Sequence, residues 1–404
     1  MTSKQELLDE LLAKPIGSAA PRKRELDRDR DLTSELELNG NTLTATVVGA
    51  EGEVDESTAA AFLTEEGLDP LDWEVTGFRK SKWGDTDKPM ESVRFTYRKA
   101  ERSTSGEAVN LDDLLDALDG FTVPEQRPVG DYGFVVWIAD PQFGKIDGDG
   151  VTGTAFRTKA GIDIAAQRIA DYRKRFQIGH VHVGWLGDHI EGFVSQNGAN
   201  AWRTPLALNE QLRLLRRLML HSLKTFAPLA QKVTMAAVPG NHGEPIRFGG
   251  SGTTRYDDSH DTEALIAVAD AAEMLPEQFG HVKFYVPDTD ELIVVTEVAN
   301  TVIAHHHGHK WKPGKHWDWW EGQAFNRESP MYVADVLVAG HLHHEDFQVE
   351  GGRTYWGLPA LESDSTWFRH TTGKGGAPSV NIGIVKDGRV LVRETIYFDE
   401  GVCK

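Results

Sequence analysis

Apolar positions along the chain gather into short runs, and five of these runs stop on residues that bind metal. FVVWIADPQ ends at Asp140 and Gln142, VHVGWLGDH at Asp188 and His189, and VTMAAVPGNH at Asn241 and His242. TVIAHHHGH ends in His305, His306, His307 and His309, and DVLVAGHLHH in His341, His343 and His344. Short apolar and β-branched runs bounded by turn residues predict buried strands. Between them, helical spacing covers roughly 160–176, 205–228 and 260–275. Strands alternating with helices predict a mainly parallel sheet covered by helices. After residue 346 the helices stop. RTYWGLPAL, VNIGIVKDG and RVLVRETIYF predict strands, with DG marking a hairpin, and a second sheet is expected to draw on this tail.

The start of the chain reads differently. Residues 1–33 hold an amphipathic helix over 4–13 (Leu7, Leu8, Leu11, Leu12) and the mixed-charge stretch PRKRELDRDRD. Residues 34–100 predict a small α+β accessory domain: a strand (NTLTATVVG), a helix (STAAAFLTEEG) and two strands (DWEVTGFRK, ESVRFTYRK). Residues 101–130 form a linker with a short helix, and 131–404 carry the alternating pattern. The last strands of the small domain bear Arg79, Lys80, Lys82, Arg94, Arg98 and Lys99, a face for a protein partner, nucleic acid or plain solvent.

Composition narrows the class. Apolar content of 40% and charged content of 26% suit a soluble globular protein. No run is long and apolar enough to predict a membrane span, and MTSKQELLDELLAKP lacks the apolar core of a secretory signal. The single cysteine, Cys403, excludes an internal disulfide framework. A cytoplasmic protein is expected. The net charge of −19 argues against coating DNA by charge alone, although bound divalent ions would make a local cationic site.

Ligands of α/β sheets bind in the crevice at the carboxyl ends of the strands. Five such ends carrying carboxylate, amide and imidazole therefore predict a metal site. Carboxylate oxygen and imidazole together suit Mn, Fe, Zn and Co. The donors outnumber what one ion takes, and two ions sharing a carboxylate serve displacement at phosphorus.

In their order, ADPQ, GDHIE, PGNHGE, HHHGH and GHLH resemble the five motifs of the calcineurin-like metallophosphoesterases, over about Asp131 to Tyr397. The resemblance implies an α/β fold of two β-sheets packed face to face and flanked by helices. It implies two divalent metal ions, Mn2+ first, with Fe, Zn, Co and Mg as alternatives. Asp140 and His343 would hold the first, with Gln142 where the family usually has His. Asp188 would bridge, and Asn241, His307 and His341 would hold the second. His242 would meet the leaving group, with Glu244 as the acid that orients it. Water activated by the metals would attack phosphorus without a covalent enzyme intermediate.

The departures matter. Gln142 is a weaker ligand than His. Glu191 stands where Asp or Asn is usual, and Gly192 where protein phosphatases of the superfamily carry a phosphate-gripping Arg. Gly243 separates His242 from Glu244. Alternation along a strand puts His305 and His307 on one face and His306 on the other. His189, His309 and Arg255 are candidate substrate contacts. WKPGKHWDWWEGQAF (311–325) is expected to form a packed loop or lid, or to stack on bases. The expected function is phosphodiester hydrolysis on DNA or nucleotides, with a general likeness to the SbcD-like nuclease branch. The alternatives are a small-molecule phosphatase, a cyclic-nucleotide phosphodiesterase and, in another class, a metal-free binding scaffold.

Overall fold

The computed structural model describes residues 4–12, 33–39, 42–50, 63, 73–83, 90–99, 111–118, 120–194, 204–245, 247–248, 251–252, 255–363, 370, 373 and 376–398. The chain divides into two compact units, Ile16–Ser105 and Met1–Pro15 with Gly106–Lys404.

In the smaller unit, β1 (Thr33–Asn39), β2 (Thr42–Ala50), β3 (Trp73–Trp83) and β4 (Met90–Lys99) form an antiparallel sheet in the order β1-β2-β4-β3. Alternation sets its faces: Leu43 and Ala45 of β2 and Val93, Phe95 and Tyr97 of β4 are buried, while Arg94 is exposed and lies opposite the exposed Arg79. The sequence pattern does not predict β1. The helix expected over STAAAFLTEEG lies outside the described residues apart from Leu63.

The larger unit begins with helices α1 (Lys4–Leu12) and α2 (Leu111–Leu118), followed by β5 (Tyr132–Ile138), α3 (Gly150–Tyr172), β6 (Ile178–Trp185), α4 (Leu208–Phe226) and β7 (Lys232–Ala237). A two-residue ribbon, β8 (Arg247–Phe248) with β9 (Ser251–Gly252), precedes α5 (His260–Glu273), α6 (Pro276–Phe279) and β10 (Val282–Tyr285). Then come β11 (Val294–Val298), β12 (Thr301–His306), α7 (His316–Phe325), β13 (Val336–Ala339), β14 (Asp346–Glu350), β15 (Arg353–Gly357), β16 (Ser379–Lys386) and β17 (Arg389–Tyr397).

These strands make two sheets. The first runs β10-β7-β6-β5-β16-β17, with its first four strands parallel, and the second runs β11-β12-β13-β15-β14. Of the tail strands, β15 enters the second sheet as expected, whereas the β16–β17 hairpin completes the first by pairing with β5.

Strand β5 shows why the layers stack. Phe134, Val136 and Ile138 pack into one apolar cluster with Ile162 of α3, Leu215 of α4 and Leu265 of α5. Val135, Trp137 and Ala139, pointing the other way, join Val338 and Trp356 of the second sheet. A strand covered on both faces has no room for polar alternation, which is why these runs read as continuously apolar. The outer face of the second sheet (Ala304, Leu337, Ala339, Tyr355) lies under Trp311, Trp320 and Met331. The Trp-rich segment is thus helix α7 packed on a sheet, where a loop was expected. The fold is α/β, with two sheets face to face and helices on the flanks.

One polar chain crosses the core between the sheets. His305 Nδ1 lies 3.0 Å from the Val294 carbonyl, which only accepts, so Nδ1 carries the proton and Nε2 accepts. His182 Nε2, 2.8 Å away, must then donate, leaving its Nδ1 to accept from Thr234 Oγ1 at 2.8 Å. Thr234 Oγ1 in turn accepts from His180 Nε2 at 2.9 Å. Burial pushes His180 down to about 3 and His305 to about 4, and His182 lies well below its ordinary value, so all three rings are neutral.

Candidate metal centre

The candidate residues converge where β5, β6, β7, β12 and β13 end. Among the described residues nine non-glycine residues have positive φ, and five of them are Asp140, Gln142, Asp188, His341 and His343. That backbone region is costly for residues with a Cβ and gathers at functional sites, so the strand ends are bent to aim these side chains.

Asp188, His307 and His341 each offer a donor atom, and the three atoms lie within 4.8 Å of one another. Asp188 Oδ1 accepts from the His242 amide at 2.8 Å, leaving Oδ2 toward the site. Its neighbour across the loop is Gly240, where a Cβ would fall on Asp188 Oδ1 and its amide nitrogen. His307 donates from Nδ1 to the Leu186 carbonyl at 2.7 Å, which turns Nε2 toward Asp188 Oδ2 at 2.9 Å. Two lone pairs at that distance need a cation between them. A proton suffices: burial pulls the His307 imidazole down, but Asp188 and Asp140 outweigh it and hold it up at about 9. A divalent metal would replace that proton. Burial and the nearby His307 push His341 down to about 4, leaving a neutral ring able to ligate. Asn241, half-buried, sits between Gly240 and His242 in the same loop. This donor set of carboxylate, amide and imidazole fits a first-row divalent ion.

The Asp140 end repeats the plan with different neighbours. Asp140 Oδ2 accepts from the His341 amide at 2.9 Å, and Oδ1 lies 3.1 Å from His343 Nε2. Full burial opposes its charge, but His343 and His307 hold the carboxyl below its usual range. His343 Nδ1 is 3.2 Å from Glu362 Oε1, and against its burial Asp140 and Glu362 hold the ring up at about 9. At Gln142, Lys145 Nζ donates to Oε1 at 2.7 Å and lies 3.1 Å from Glu362 Oε2.

His242 stands beside the Asp188 end. Its Nδ1 faces the Glu191 carbonyl at 3.1 Å and Glu191 Oε2 at 3.3 Å, both acceptors, while Nε2 is 3.9 Å from Asp188 Oδ2. Burial pulls it down, yet Asp188 and Glu191 raise it to about 9. Glu191 thus supplies a carboxylate at Nδ1 of the ring, and Glu244 is half-buried two residues further on.

The other candidates are placed as follows. His189 is fully buried; its Nε2 accepts from the Gly187 amide at 3.0 Å and its Nδ1 faces Asp261 Oδ1 at 3.4 Å. The His309 ring lies 5.4 Å from that of His307 and 6.2 Å from that of His341. The Arg255 side chain is 61% exposed and pairs with Asp257 at 2.9 Å. Along β12 the predicted alternation holds: His305 enters the inter-sheet chain, while His306 turns outward to Trp311 and Trp319.

Asp261, which the sequence did not single out, ties the rim together. It is fully buried at the start of α5 and accepts from the amides of Asp188 (3.0 Å), His189 (2.9 Å) and Gly240 (2.9 Å). Its only local signal is the N-cap at Ser259, which marks a helix start but not the loops it reaches. Lys145, Glu191 and Glu362 were equally silent as partners.

No family model matches the sequence, and no curated protein does. Solved structures do. An archaeal phosphodiesterase is 14% identical, with 66% of this chain and 99% of that one covered at a TM-score of 0.31. A conserved protein of Streptococcus pneumoniae TIGR4 described as a predicted phosphoesterase is 11% identical over 66% and 98%, at 0.28. Zinc-bound Vps29 of Entamoeba histolytica is 17% identical over 41% and 82%, at 0.23. These scores are low, and the architecture above rests on the sheets themselves.

Proposed function

We propose that this chain hydrolyses phosphoesters at a divalent metal held by Asp188, Asn241, His307 and His341, with His242 as the proton donor. The observation that carries this reading is the convergence of Asp188, His307 and His341 within 4.8 Å, beside a histidine whose free nitrogen faces the same carboxylate. A bound divalent ion would polarise a phosphoryl oxygen and make water acidic enough to lose a proton near neutrality.

The chain's own residues do the rest. Leu186 and Asp261 fix His307 and Asp188 through the backbone, so the donors wait in place. Glu191 accepts the hydrogen bond of His242 Nδ1 through its carbonyl and faces it with its carboxylate, and together with Asp188 it favours the protonated ring. Its remaining proton is on Nε2, on the Asp188 side, placed to pass to an alkoxide as it leaves.

We read the substrate as a diester, because Gly192 stands where the resemblance puts the Arg that protein phosphatases use to grip a phosphate. The Trp-rich segment adds no support for base stacking, since Trp311 and Trp320 are buried against the outer face of the second sheet. With Mn2+, the purified protein should hydrolyse bis-p-nitrophenyl phosphate faster than the monoester, and EDTA should abolish both activities. Absence of turnover with Mn2+, Zn2+, Co2+, Fe2+ or Mg2+, together with no bound metal by elemental analysis, would sink the reading. A preference for the monoester would overturn the substrate class alone.

A further inference from the structure

We propose that Lys145 is a resident cation that keeps the Asp140 end from binding a divalent ion as tightly as the Asp188 end does. The inference rests on the metal reading above. Gln142 is the neutral residue at a position where a histidine was expected, and its amide oxygen is its only metal donor. Lys145 Nζ occupies that oxygen at 2.7 Å. The ammonium is itself anchored, 3.1 Å from Glu362 Oε2, with the lysine side chain only 14% exposed. Glu362 Oε1 reaches His343 Nδ1 at 3.2 Å, and His343 Nε2 reaches Asp140 Oδ1 at 3.1 Å. Glutamine, lysine, glutamate, histidine and aspartate thus form one continuous chain in which each carboxylate already faces a cationic or proton-bearing partner.

A divalent ion entering this chain must take Gln142 Oε1 from the ammonium, or share it and hold two like charges side by side. The Asp188 end sets no such condition. Among the described residues no lysine or arginine hydrogen-bonds to Asp188, His307 or His341; their hydrogen-bond partners are backbone groups, the carboxylates of Asp261 and Asp140, and one another.

The test is a titration of chelator-treated full-length protein with Mn2+, followed by calorimetry and by electron paramagnetic resonance. The wild type should take one tight equivalent, giving the signal of isolated Mn2+, with any second equivalent weaker by about tenfold or more. Lys145→Met should tighten the second equivalent by about tenfold and bring up the signal of coupled ions, with the first unchanged. Lys145→Gln, equally uncharged, gives an independent variant should the first fold poorly, and the wild-type titration stands without either. Two equivalents of equal affinity in the wild type, or a second equivalent that neither variant tightens, would overturn the role of Lys145 while leaving the metal reading intact. No bound ion at all would overturn both.

Discussion

The Asp188 and Asp140 ends share a construction: a left-handed aspartate, one oxygen spent on a backbone amide of another strand-end loop, and a histidine facing the other oxygen. They differ in what stands behind the histidine. His307 is turned by a neutral carbonyl, Leu186, whereas His343 is turned by a carboxylate, Glu362, that also anchors Lys145. One end is built from backbone and imidazole and the other is closed by an ion-pair chain. Similar ligands can therefore hold metal very differently, because the partners behind them set how freely the donors are offered.

The largest effect that would break this comparison is the loss of a carboxylate. Asp188→Asn should abolish the tight metal equivalent and with it all metal-dependent turnover, whereas Asp140→Asn should keep the tight equivalent; calorimetry and elemental analysis read both. If Asp140→Asn also lost its tight ion, the ends would not be independent. Next in size is His242→Ala, expected to keep its metal while losing about 10²–10⁴-fold in rate toward poor leaving groups and much less toward p-nitrophenolate. Loss of metal in that variant would make His242 a ligand.

The smallest effect is in stability against pH for the chelated protein. His242, His307 and His343 have folded values raised to about 9 from an ordinary 6.5, so their contribution is full below 6.5 and is lost as pH rises through 9. His180 and His305 are depressed to about 3 and 4, and His182 lies well below 6.5, so theirs is full above 6.5 and is lost as pH falls toward those values. The chelated protein should be most stable near 6.5, with each histidine contributing a slope of about 1.4 kcal/mol per pH unit on its side. Mn2+ should flatten the alkaline limb, as it replaces the proton on His307. An alkaline limb unchanged by Mn2+ would contradict an ion at that ring.

Much of this was legible in the sequence, for physical reasons. Strands such as β5 and β6 are buried on both faces, so their apolar runs are unbroken, and they end where Asp140 and Asp188 leave the sheet. The two-residue period of β12 separated His305 and His307 from His306. The start of α3 at Gly150, ten residues before the predicted 160, was not legible. GVTGTAF is poor in helix formers, and its helix is held from afar, Arg157 Nε donating to the Leu361 carbonyl at 2.9 Å. Helix α7 is likewise set by Trp320 packing on a distant sheet rather than by local propensity. Lys145 and Glu362 meet across more than two hundred positions, and Asp261 reaches loops that precede it by more than twenty. Such pairings leave no periodic trace.

The backbone amides that hold Asp140 and Asp188 also bear on which ions the rim would suit. Because His341 N occupies one oxygen of Asp140 and His242 N one oxygen of Asp188, each aspartate presents a single oxygen outward. Calcium gathers six to eight oxygens, often by clasping a carboxylate with both of its own. A rim that presents carboxylates largely through one oxygen, beside imidazoles, offers little of that shell, so calcium is expected to bind it more weakly than Mn2+ in the same titration.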